Sequence, residues 1–476
     1  MCASLILIPF ISVLILNLPI KGMKRLAFGL AALLFLLQMV AVLIPDAAFW
    51  KINHSFCAGI FNFELGADIL SKVVLFCIGM VSLVTLFSAL TFVKDSDEKF
   101  NFINILLIAV CGMNAVAMAK DIFSLYVFLE VVAVSSFILI AFNRDMPGLE
   151  GAFKYIVLSG VATVLMIAGI ALLVLIAGST NFSLIHYMLI AQNKSLIVSL
   201  AIGLFIVALF IKSGLMPFHG WLPDVYTSAP APASVLLAGI ITKVAGVYAL
   251  IRIVVSMLGF SASIQSILLF VGAVSVILGA LAALTQSDFK RMLSYSSISQ
   301  VGYIILGLGS GSVLGIAGAA FHIFNHASFK SLLFINSAAV ESRLGSRDID
   351  KMGGLAKQMP LTSLTSVIGS LSCAGIPPLA GFWSKLMIII ALWLVGFKGY
   401  AVIAVLGSIL TLAYFLILQR KVFFGKPSDE FKDIKEAGFS LMFPAIALAV
   451  LIVAAGLLAP WLLKGFILGF VPIIGG

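Results

Sequence analysis

Charged residues are scarce in this sequence. Only 10% of its 476 residues are Asp, Glu, Lys or Arg and 62% are hydrophobic, whereas about a quarter of an ordinary soluble domain is charged. Apolar runs of about twenty residues recur along the chain, and each could cross a hydrocarbon core of roughly 30 Å as a helix. They lack the apolar–polar alternation of a transmembrane β-strand. The composition excludes a water-soluble protein and predicts an all-α polytopic membrane protein.

Cysteines and long polar stretches are also scarce. The five cysteines are scattered and form no CxxC motif: Cys2, Cys57, Cys77, Cys111 and Cys373. They indicate neither a disulfide framework nor an iron–sulfur or other metal site. The longest polar stretches, 46–69, 341–359 and 425–438, are too short to bury a core of their own. We therefore expect no cofactor on this chain, and any redox domain must belong to another chain.

Basic residues outnumber acidic ones, which gives a net charge of +10. In a membrane protein such an excess usually marks cytoplasmic loops, so we expect no nucleic-acid partner. With about fourteen spans and the N-terminus outside, most Lys and Arg residues fall in inside loops. The outside loops hold few, including Lys51, Lys120, Lys194 and Lys398. This asymmetry predicts a multi-pass protein with both termini outside, and a bacterial or archaeal plasma membrane is the simplest host.

An apolar segment interrupted by Pro and Gly occurs twice. GLMPFHGW at 214–221 and GIPPLAGFW at 375–383 share the order Gly, apolar residue, Pro and Gly–aromatic. Upstream of them, GAFKY at 151–155 resembles AAFHI at 319–323. Paired interruptions of this kind are typical of transporters built from structural repeats. Because an odd number of predicted spans separates the two, the second copy enters the membrane from the opposite side, and the repeats are inverted.

The prolines of these segments are predicted helix breaks in helices 7 and 12. Pro217, Pro377 and Pro378 each remove a backbone hydrogen bond, and the freed carbonyls are tolerated at membrane depth only inside protein or beside water. A simple kink is the alternative. The predicted organisation is a three-helix N-terminal segment (1–100), a first five-helix repeat of spans 4–8 (101–257), a second, inverted repeat of spans 9–13 (258–424), and a cytoplasmic loop with a last helix (425–476).

Several titratable residues lie within about two turns of a predicted helix midpoint. They are Glu130, Lys212, Lys243, His322, His326, Lys330 and Lys385. A charge at that depth costs several kcal/mol unless it is paired or hydrated, so such residues usually face the bundle interior and mark a proton or ion path. A lysine near a helix end can instead extend to the interface.

Two local patterns refine this prediction. Glu130 is the only carboxylate well inside a span, and we predict that it pairs with Lys212, because an unpaired buried carboxylate would become neutral. A purely structural salt bridge is the alternative.

His322, His326 and Lys330 are spaced i, i+4 and i+8 on one helix face, and imidazoles suit proton relay. Two histidines at this spacing can also bind zinc, but no third ligand lies nearby, so we expect no metal.

Taken together, these stretches resemble the antiporter-like subunits of respiratory complex I, membrane-bound hydrogenases and Mrp cation/proton antiporters. The resemblance covers roughly residues 100–425. It is carried by FLEVVAVSSF, KSGLMPFHGWLPDVYTSAPAPAS, LLAGIITKVAGVY, QSDFKRMLSYSSISQVGY, FHIFNHASFKSLLF and GIPPLAGFWSK, in that order. The chain ends soon after its last predicted span, so it resembles the shorter hydrogenase-type or Mrp-type members.

The resemblance implies roles for the buried residues. Glu130 and Lys212 correspond to the family's glutamate on helix 5 and lysine on broken helix 7, and Lys243 to the central lysine of helix 8. His322, His326 and Lys330 correspond to the bridging residues of helix 11, and Lys385 to the terminal residue of broken helix 12.

The function implied is proton translocation within a multi-subunit redox-driven complex, with a subunit of an Mrp-type Na⁺/H⁺ antiporter as the alternative. The implied partners are paralogous and other membrane subunits, peripheral subunits carrying flavin, iron–sulfur or nickel–iron centres, lipid, and H⁺ or Na⁺. The residues by themselves also leave open a solute transporter, an inert scaffold, and a membrane-embedded enzyme using His219 and Asp224.

Overall fold

A computed structural model describes residues 2–19, 22–44, 54–191, 196–426 and 434–474. Within these ranges ten helices are long and apolar enough to cross a membrane, which confirms the predicted helical membrane class. They are Met23–Leu43 (α2), Ile69–Phe92 (α3), Ser96–Met118 (α4), Ile122–Ile140 (α5), Met146–Ala177 (α6), Leu196–Ser213 (α8), Ala231–Leu258 (α10), Ala262–Leu284 (α11), Lys398–Val422 (α16) and Phe439–Leu468 (α17). Lys51 and Lys194, two of the predicted outside lysines, lie outside the described residues.

The other helices are shorter or more polar. They are Cys2–Leu16 (α1), Phe182–Ala191 (α7), Trp221–Ser228 (α9), Phe289–Gly309 (α12), Val313–Leu344 (α13), Pro360–Ala374 (α14), Ala380–Val395 (α15) and Val471–Ile474 (α18). Helix α13 is buried along most of its length and packs against α12, α14, α15 and α17. It therefore forms the centre of the second half of the bundle.

The chain breaks between α8 and α9 and between α14 and α15, at the two motifs found in the sequence. Gly214 has a φ of 66° and Gly375 a φ of 87°, values that glycine adopts without strain. The next amides, of Leu215 and Ile376, donate to carbonyls five residues earlier, at 3.2 and 3.0 Å. This is a glycine C-cap of the Schellman type.

The predicted prolines lie in the segments that follow these caps. Pro217 lies between α8 and α9, and Pro377 and Pro378 lie between α14 and α15. The Met216–Pro217 and Pro377–Pro378 peptide bonds are cis. Each first half-helix thus ends at its glycine, before the proline is reached.

Helix α10 is buried throughout and is not a regular α-helix. It contains π-helical segments at Leu237–Ile241, Lys243–Tyr248 and Val254–Leu258, whereas the sequence predicted one ordinary span at 230–257. A Cβ added at Gly246 would lie 2.5 Å from the Ser213 backbone, so glycine permits α10 to touch the end of α8. The two helices that carry Lys243 and Lys212 are therefore in direct contact.

Part of the predicted loop 46–69 is a β-hairpin. Strands His54–Ala58 (β1) and Phe61–Leu65 (β2) pair antiparallel, with Ala58 opposite Phe61. The two-residue turn between them includes Gly59 at a φ of 64°, which suits a tight hairpin turn. The sequence predicted only a loop, because a single short hairpin carries a weak pattern.

One end of the bundle carries a cluster of basic side chains that we call the basic face, formed by Lys154, Lys290, Arg291, Arg343 and Arg347. Arg347 donates to the Thr227 carbonyl at 2.8 Å and Arg343 to the Glu436 carbonyl at 2.7 Å. Lys154 and Arg291 both bind Asp224, at 2.8 and 2.7 Å. The end of α9 and the beginning of α14 therefore meet the same face.

The opposite end is held by a buried ion cluster. Arg252, 1% exposed, binds both carboxylate oxygens of Asp68 at 2.6 and 2.8 Å, and Lys120 lies 3.3 Å from the same carboxylate. Burial acts to raise the pKa of Asp68, but the Arg252 and Lys120 charges outweigh it and hold this pKa well below its ordinary value. The cluster ties the start of α3 to α10.

Candidate functional site

The predicted ion pair between Glu130 on α5 and Lys212 at the end of α8 is confirmed, with Oε1 and Nζ 3.2 Å apart. Thr163 donates to the same glutamate oxygen at 2.7 Å, and Lys212 Nζ lies 3.4 Å from the Ser159 hydroxyl. The lysine side chain is 4% exposed and the glutamate 30%. The pair therefore extends from the bundle interior to its outer surface.

Lys243 lies in the second π-helical segment of α10 and is fully buried. Its ammonium donates to the Ala238 carbonyl and lies 3.0 Å from the Thr242 hydroxyl. That hydroxyl is 2.7 Å from the Tyr226 hydroxyl, and Tyr226 donates to the Leu237 carbonyl at 3.1 Å. Lys243 is thus held by hydroxyl and carbonyl oxygens.

His322, His326 and Lys330 are all fully buried on α13. His322 Nδ1 lies 2.9 Å from the Ser384 hydroxyl. Among the described residues neither ring nitrogen of His326 has a hydrogen-bond partner, and α13, which carries it, packs against both α10 and α15. The histidines therefore bridge the space between α10 and α15.

The two remaining ammonium groups contact polar and aromatic groups. Lys330 Nζ donates to the Ser296 hydroxyl at 2.7 Å and to the Leu293 carbonyl at 3.0 Å. Lys385, in the second turn of α15, lies 3.4 Å from the Ala374 carbonyl freed at the break and 4.3 Å from the centre of the Tyr303 ring. The same Tyr303 ring lies 5.9 Å from the His322 ring, centre to centre.

The seven predicted residues, which we call the row, lie on helices that contact one another in succession, α5, α8, α10, α13 and α15, and their charges are unbalanced. Of the four lysines of the row, only Lys212 forms an ion pair within the described part of the chain. Removing an ammonium from water without a counter-charge costs several kcal/mol. The row therefore suits side chains that gain and lose protons, or that contact water, better than a set of fixed structural charges.

The geometry supports neither a metal site nor a catalytic pair of His219 and Asp224. In the described ranges, no group of three His, Cys, Asp or Glu side chains is placed to hold a metal ion. Asp224 binds Lys154 and Arg291, while His219 Nδ1 lies 3.3 Å from the Pro217 carbonyl. The aspartate and histidine are thus engaged by other groups and do not form a catalytic pair.

Several polar contacts of the row were not predicted from the sequence. Asn325 donates to the Ser384 hydroxyl at 2.9 Å and to the Ala380 carbonyl at 3.0 Å, joining α13 to the start of α15. The contacts of Tyr226 and Thr242 were not predicted either. Asn325 lies next to His326 in the sequence and Thr242 next to Lys243. A polar residue beside a buried titratable residue was therefore the signal from which these contacts could have been predicted.

A match to a family model identifies the chain. Residues 119–411 match the family described as NADH:quinone oxidoreductase/Mrp antiporter, transmembrane. The chain belongs to this family. The matched range contains every residue of the row, which agrees with the resemblance inferred from the sequence.

Curated relatives of this family member cover nearly its whole length. It is 32% identical over 464 residues to a Na⁺/H⁺ antiporter subunit of Alkalihalophilus pseudofirmus, covering 95% of this chain and 93% of the relative. It is 30% identical over 451 residues to an NADH-quinone oxidoreductase subunit of Desulforudis audaxviator, covering 90% of each. The relatives therefore include both antiporter and oxidoreductase subunits.

Solved structures share the fold of this antiporter-like chain. A chain of the archaeal membrane-bound sulfane sulfur reductase superposes with a TM-score of 0.87 at 28% identity, covering 99% of this chain and 97% of that one. A chain of the Mrp complex from Dietzia sp. gives a TM-score of 0.90 at 24% identity, with coverage of 99% and 97%. At this lower identity the likeness to the Mrp chain shows the fold alone.

Proposed function

We propose that the chain is a proton-translocating, antiporter-like membrane subunit of a multi-subunit redox-driven complex, of the complex I or membrane-bound hydrogenase type. The observation that carries the proposal is the row of buried titratable side chains from Glu130 to Lys385, in which, among the described residues, Lys212 alone of the lysines has a counter-charge. A row of this kind is what a proton path through a membrane requires.

The proposed path has two half-channels joined by the middle of the row. A proton enters near the Glu130–Lys212 pair, passes Lys243 and reaches the histidine face of α13, and it leaves at Lys385. When Glu130 moves away, Lys212 loses its counter-charge and releases its proton to the row. Moving one charge against 100 mV requires about 2.3 kcal/mol, which must come from a redox partner or from the gradient of another ion.

Fourteen spans are part of the proposal. To the ten helices given above we add Cys2–Leu16, Phe289–Gly309, Val313–Leu344 and the broken pair Pro360–Ala374 with Ala380–Val395. The matching glycine caps at the two breaks support two inverted five-helix repeats, 101–257 and 258–424. The clustering of Arg and Lys on the basic face supports placing that face in the cytoplasm and both termini outside.

Glu130 also supports assembly with other membrane subunits. Its side chain is 30% exposed at the middle of α5, and the neighbouring α6 exposes Phe153, Val157 and Val164. A carboxylate is poorly solvated by lipid, so we propose that another membrane subunit covers this face. Paralogous antiporter-like subunits and peripheral subunits with flavin, iron–sulfur or nickel–iron centres are the proposed partners.

A subunit of an Mrp-type Na⁺/H⁺ antiporter is the second candidate. The observation that favours it is the 32% identity to the Na⁺/H⁺ antiporter subunit of Alkalihalophilus pseudofirmus along almost the full length of both chains. The two candidates use the same row of residues and differ in the source of energy.

The test uses the native complex with Lys212, Lys243 or Lys385 replaced by alanine. We expect proton transport into membrane vesicles to be abolished and assembly to be retained, whereas Lys398→Ala, which changes a lysine at the start of α16, keeps full transport. Unimpaired transport in the three variants overturns the proposal. Flavin, iron–sulfur or nickel in the purified complex supports the redox-driven type, and their lack with Na⁺-dependent transport supports the Mrp type.

A further inference from the structure

A second set of buried polar side chains connects Lys330 with the basic face. We call it the inner polar file and define it as Glu436, Thr362, Thr365, Asn336, Ser366, Ser370 and Gln419. At the surface end, Glu436 accepts hydrogen bonds from the Thr362 hydroxyl at 2.6 Å and from the Leu361 amide at 2.8 Å. The file therefore begins at a carboxylate that caps the start of α14.

Deeper in the bundle, the file continues between α13, α14 and α16. Thr365, one turn beyond Thr362, donates to Asn336 Oδ1 at 3.1 Å. Gln419 Nε2 donates to the hydroxyls of Ser366 at 2.8 Å and Ser370 at 2.9 Å. These side chains are buried, and their partners lie on neighbouring helices.

The file ends at the group that holds Lys330. Ser370 lies one turn before Cys373 on α14, and Gln419 lies on α16, the helix that also carries Tyr414. The Tyr414 hydroxyl lies 2.6 Å from the Ser296 hydroxyl, to which Lys330 donates. Hydroxyl and amide groups thus line α14 and α16 from Glu436 to Lys330.

Several polar atoms along the file have unused hydrogen-bonding capacity. Asn336 Nδ2 and Gln419 Oε1 of the file have no partner among the described residues, and neither do Ser337 Oγ on α13 and Gln300 Oε1 on α12. An unsatisfied buried polar group costs about 1–3 kcal/mol, and in native proteins such groups usually bind water. Four unpaired atoms on adjacent helices therefore indicate a hydrated space between them.

Another pair of buried amide side chains, Gln38 and Asn114, has no unused hydrogen-bonding capacity. Gln38 and Asn114 bind each other twice at 2.9 Å and use their remaining donors on the carbonyls of Leu75 and Leu5 at 2.8 Å. All their polar atoms are satisfied by protein. Ser135 and Ser136 on α5 likewise bond to carbonyls of their own helix. The polar side chains of these two sets are thus satisfied by packing alone, and those of the file are not.

We propose that the inner polar file is a hydrated proton path between the basic face and Lys330, separate from the path at Glu130 and Lys212. Protonated Glu436 passes its proton to a water in the file, the hydroxyls and waters each accept one proton and pass one on, and neutral Lys330 accepts the last. Glu436 then takes a proton from bulk water, so no bond other than O–H and N–H is made or broken. This inference rests on the proposed proton-translocating function.

The first experiment measures hydration and does not depend on transport. Ser370→Cys, in membrane vesicles of either orientation, is treated with a membrane-impermeant methanethiosulfonate reagent, with the unsubstituted protein measuring labelling of the native cysteines. We expect labelling above that background only when the reagent is on the side of the basic face. Background labelling from both sides means that the file is dry packing and overturns the proposal.

The second experiment measures transport in the intact complex. Asn336→Leu and Gln419→Leu should lower the rate of proton transport by about tenfold or more, while the matched controls Asn114→Leu and Gln38→Leu change it by less than about twofold in complexes that assemble. Equal rates in file and control variants overturn the proposal. If Lys212→Ala leaves transport intact, the proposed function fails; if Lys212→Ala abolishes transport and the file variants do not alter it, only the file fails.

Discussion

The two helix breaks use the same backbone device and place their lysines differently. Each first half-helix ends at a glycine with positive φ, Gly214 or Gly375, and a proline follows. In the first break the lysine precedes the glycine by two residues, whereas in the second Lys385 follows it by ten. Cys373 occupies the position in the second motif that Lys212 occupies in the first.

The direction of the helices explains this difference. In the proposed inverted arrangement, the chain approaches the basic face through the first break and leaves that face through the second. A lysine before the first break and a lysine after the second then both lie on the half-helix remote from the basic face. The two lysines therefore lie on the same side of the two breaks with respect to the membrane, although one precedes its glycine in the sequence and the other follows it.

The breaks also differ in the side chain that donates to a backbone carbonyl at the end of the first half-helix. At the first, the Trp221 indole donates to the Ile211 carbonyl at 3.0 Å, and Lys212 is left to pair with Glu130. At the second, Phe382 stands in the position of Trp221 and has no donor. Lys385 itself approaches the Ala374 carbonyl, so this lysine bonds to backbone where the other bonds to a carboxylate.

The largest expected effect comes from replacing each lysine by arginine. Arginine keeps the positive charge and does not release its proton in proteins, so we expect Lys212→Arg and Lys385→Arg each to lose proton transport completely while the complex assembles. Transport is measured in vesicles and assembly by native gel electrophoresis. Lys398→Arg is the control. Full activity of either variant means that the lysine at that break is only a fixed charge.

An intermediate effect is expected from the counter-charge of the first break. Glu130→Gln leaves the buried Lys212 unpaired, and breaking a buried pair in this way typically costs about 3–5 kcal/mol. We expect a lower melting temperature of the purified complex, and recovery of much of the loss in Glu130→Gln/Lys212→Met, because the double variant leaves no charge. Additive losses in a double-mutant cycle contradict the coupling of the two residues.

The smallest effect is expected from Trp221→Phe, which gives the first break the aromatic residue of the second. The Ile211 carbonyl loses its indole donor but keeps the hydrogen bond from the Gly214 amide at 3.1 Å, so the cost is that of one net hydrogen bond, about 0.5–1.5 kcal/mol. We expect a small loss of thermal stability and a proton transport rate within about twofold of that of the unsubstituted complex. Phe382→Leu, which removes no hydrogen bond, is the matched control. A larger loss in Phe382→Leu shows that the indole bond does not distinguish the breaks.

Features that depend on hydrophobicity and on rare residues could be predicted from the sequence. The membrane helices follow from apolar runs, and the Glu130–Lys212 pair follows because a single carboxylate inside the spans has few possible partners. The two breaks were visible because Gly and Pro stand out in apolar helices. These signals are local in the sequence and do not depend on how the helices pack against one another.

Features that depend on tertiary packing were not predictable. The π-helical segments around Lys243 have no marker in LLAGIITKVAGVY, because the apolar residues and glycines around the lysine also occur in ordinary membrane helices. The bond of Asn325 to Ser384 joins residues 59 positions apart, and the hairpin at 54–65 depends on only a few alternating residues. Each of these arises from neighbours that the local sequence does not specify.

The wide turns of α10 also change how this helix fits the thickness of the bilayer. Ala231–Leu258 contains 28 residues, which as a straight α-helix would measure about 42 Å at roughly 1.5 Å per residue, more than a hydrocarbon core of roughly 30 Å. A turn closed by i→i+5 bonds holds more residues than an α-turn, so the π-helical segments shorten the span. Helix α10 is therefore shorter along its axis than a regular α-helix of 28 residues would be, and it crosses less of the bilayer for its length in sequence.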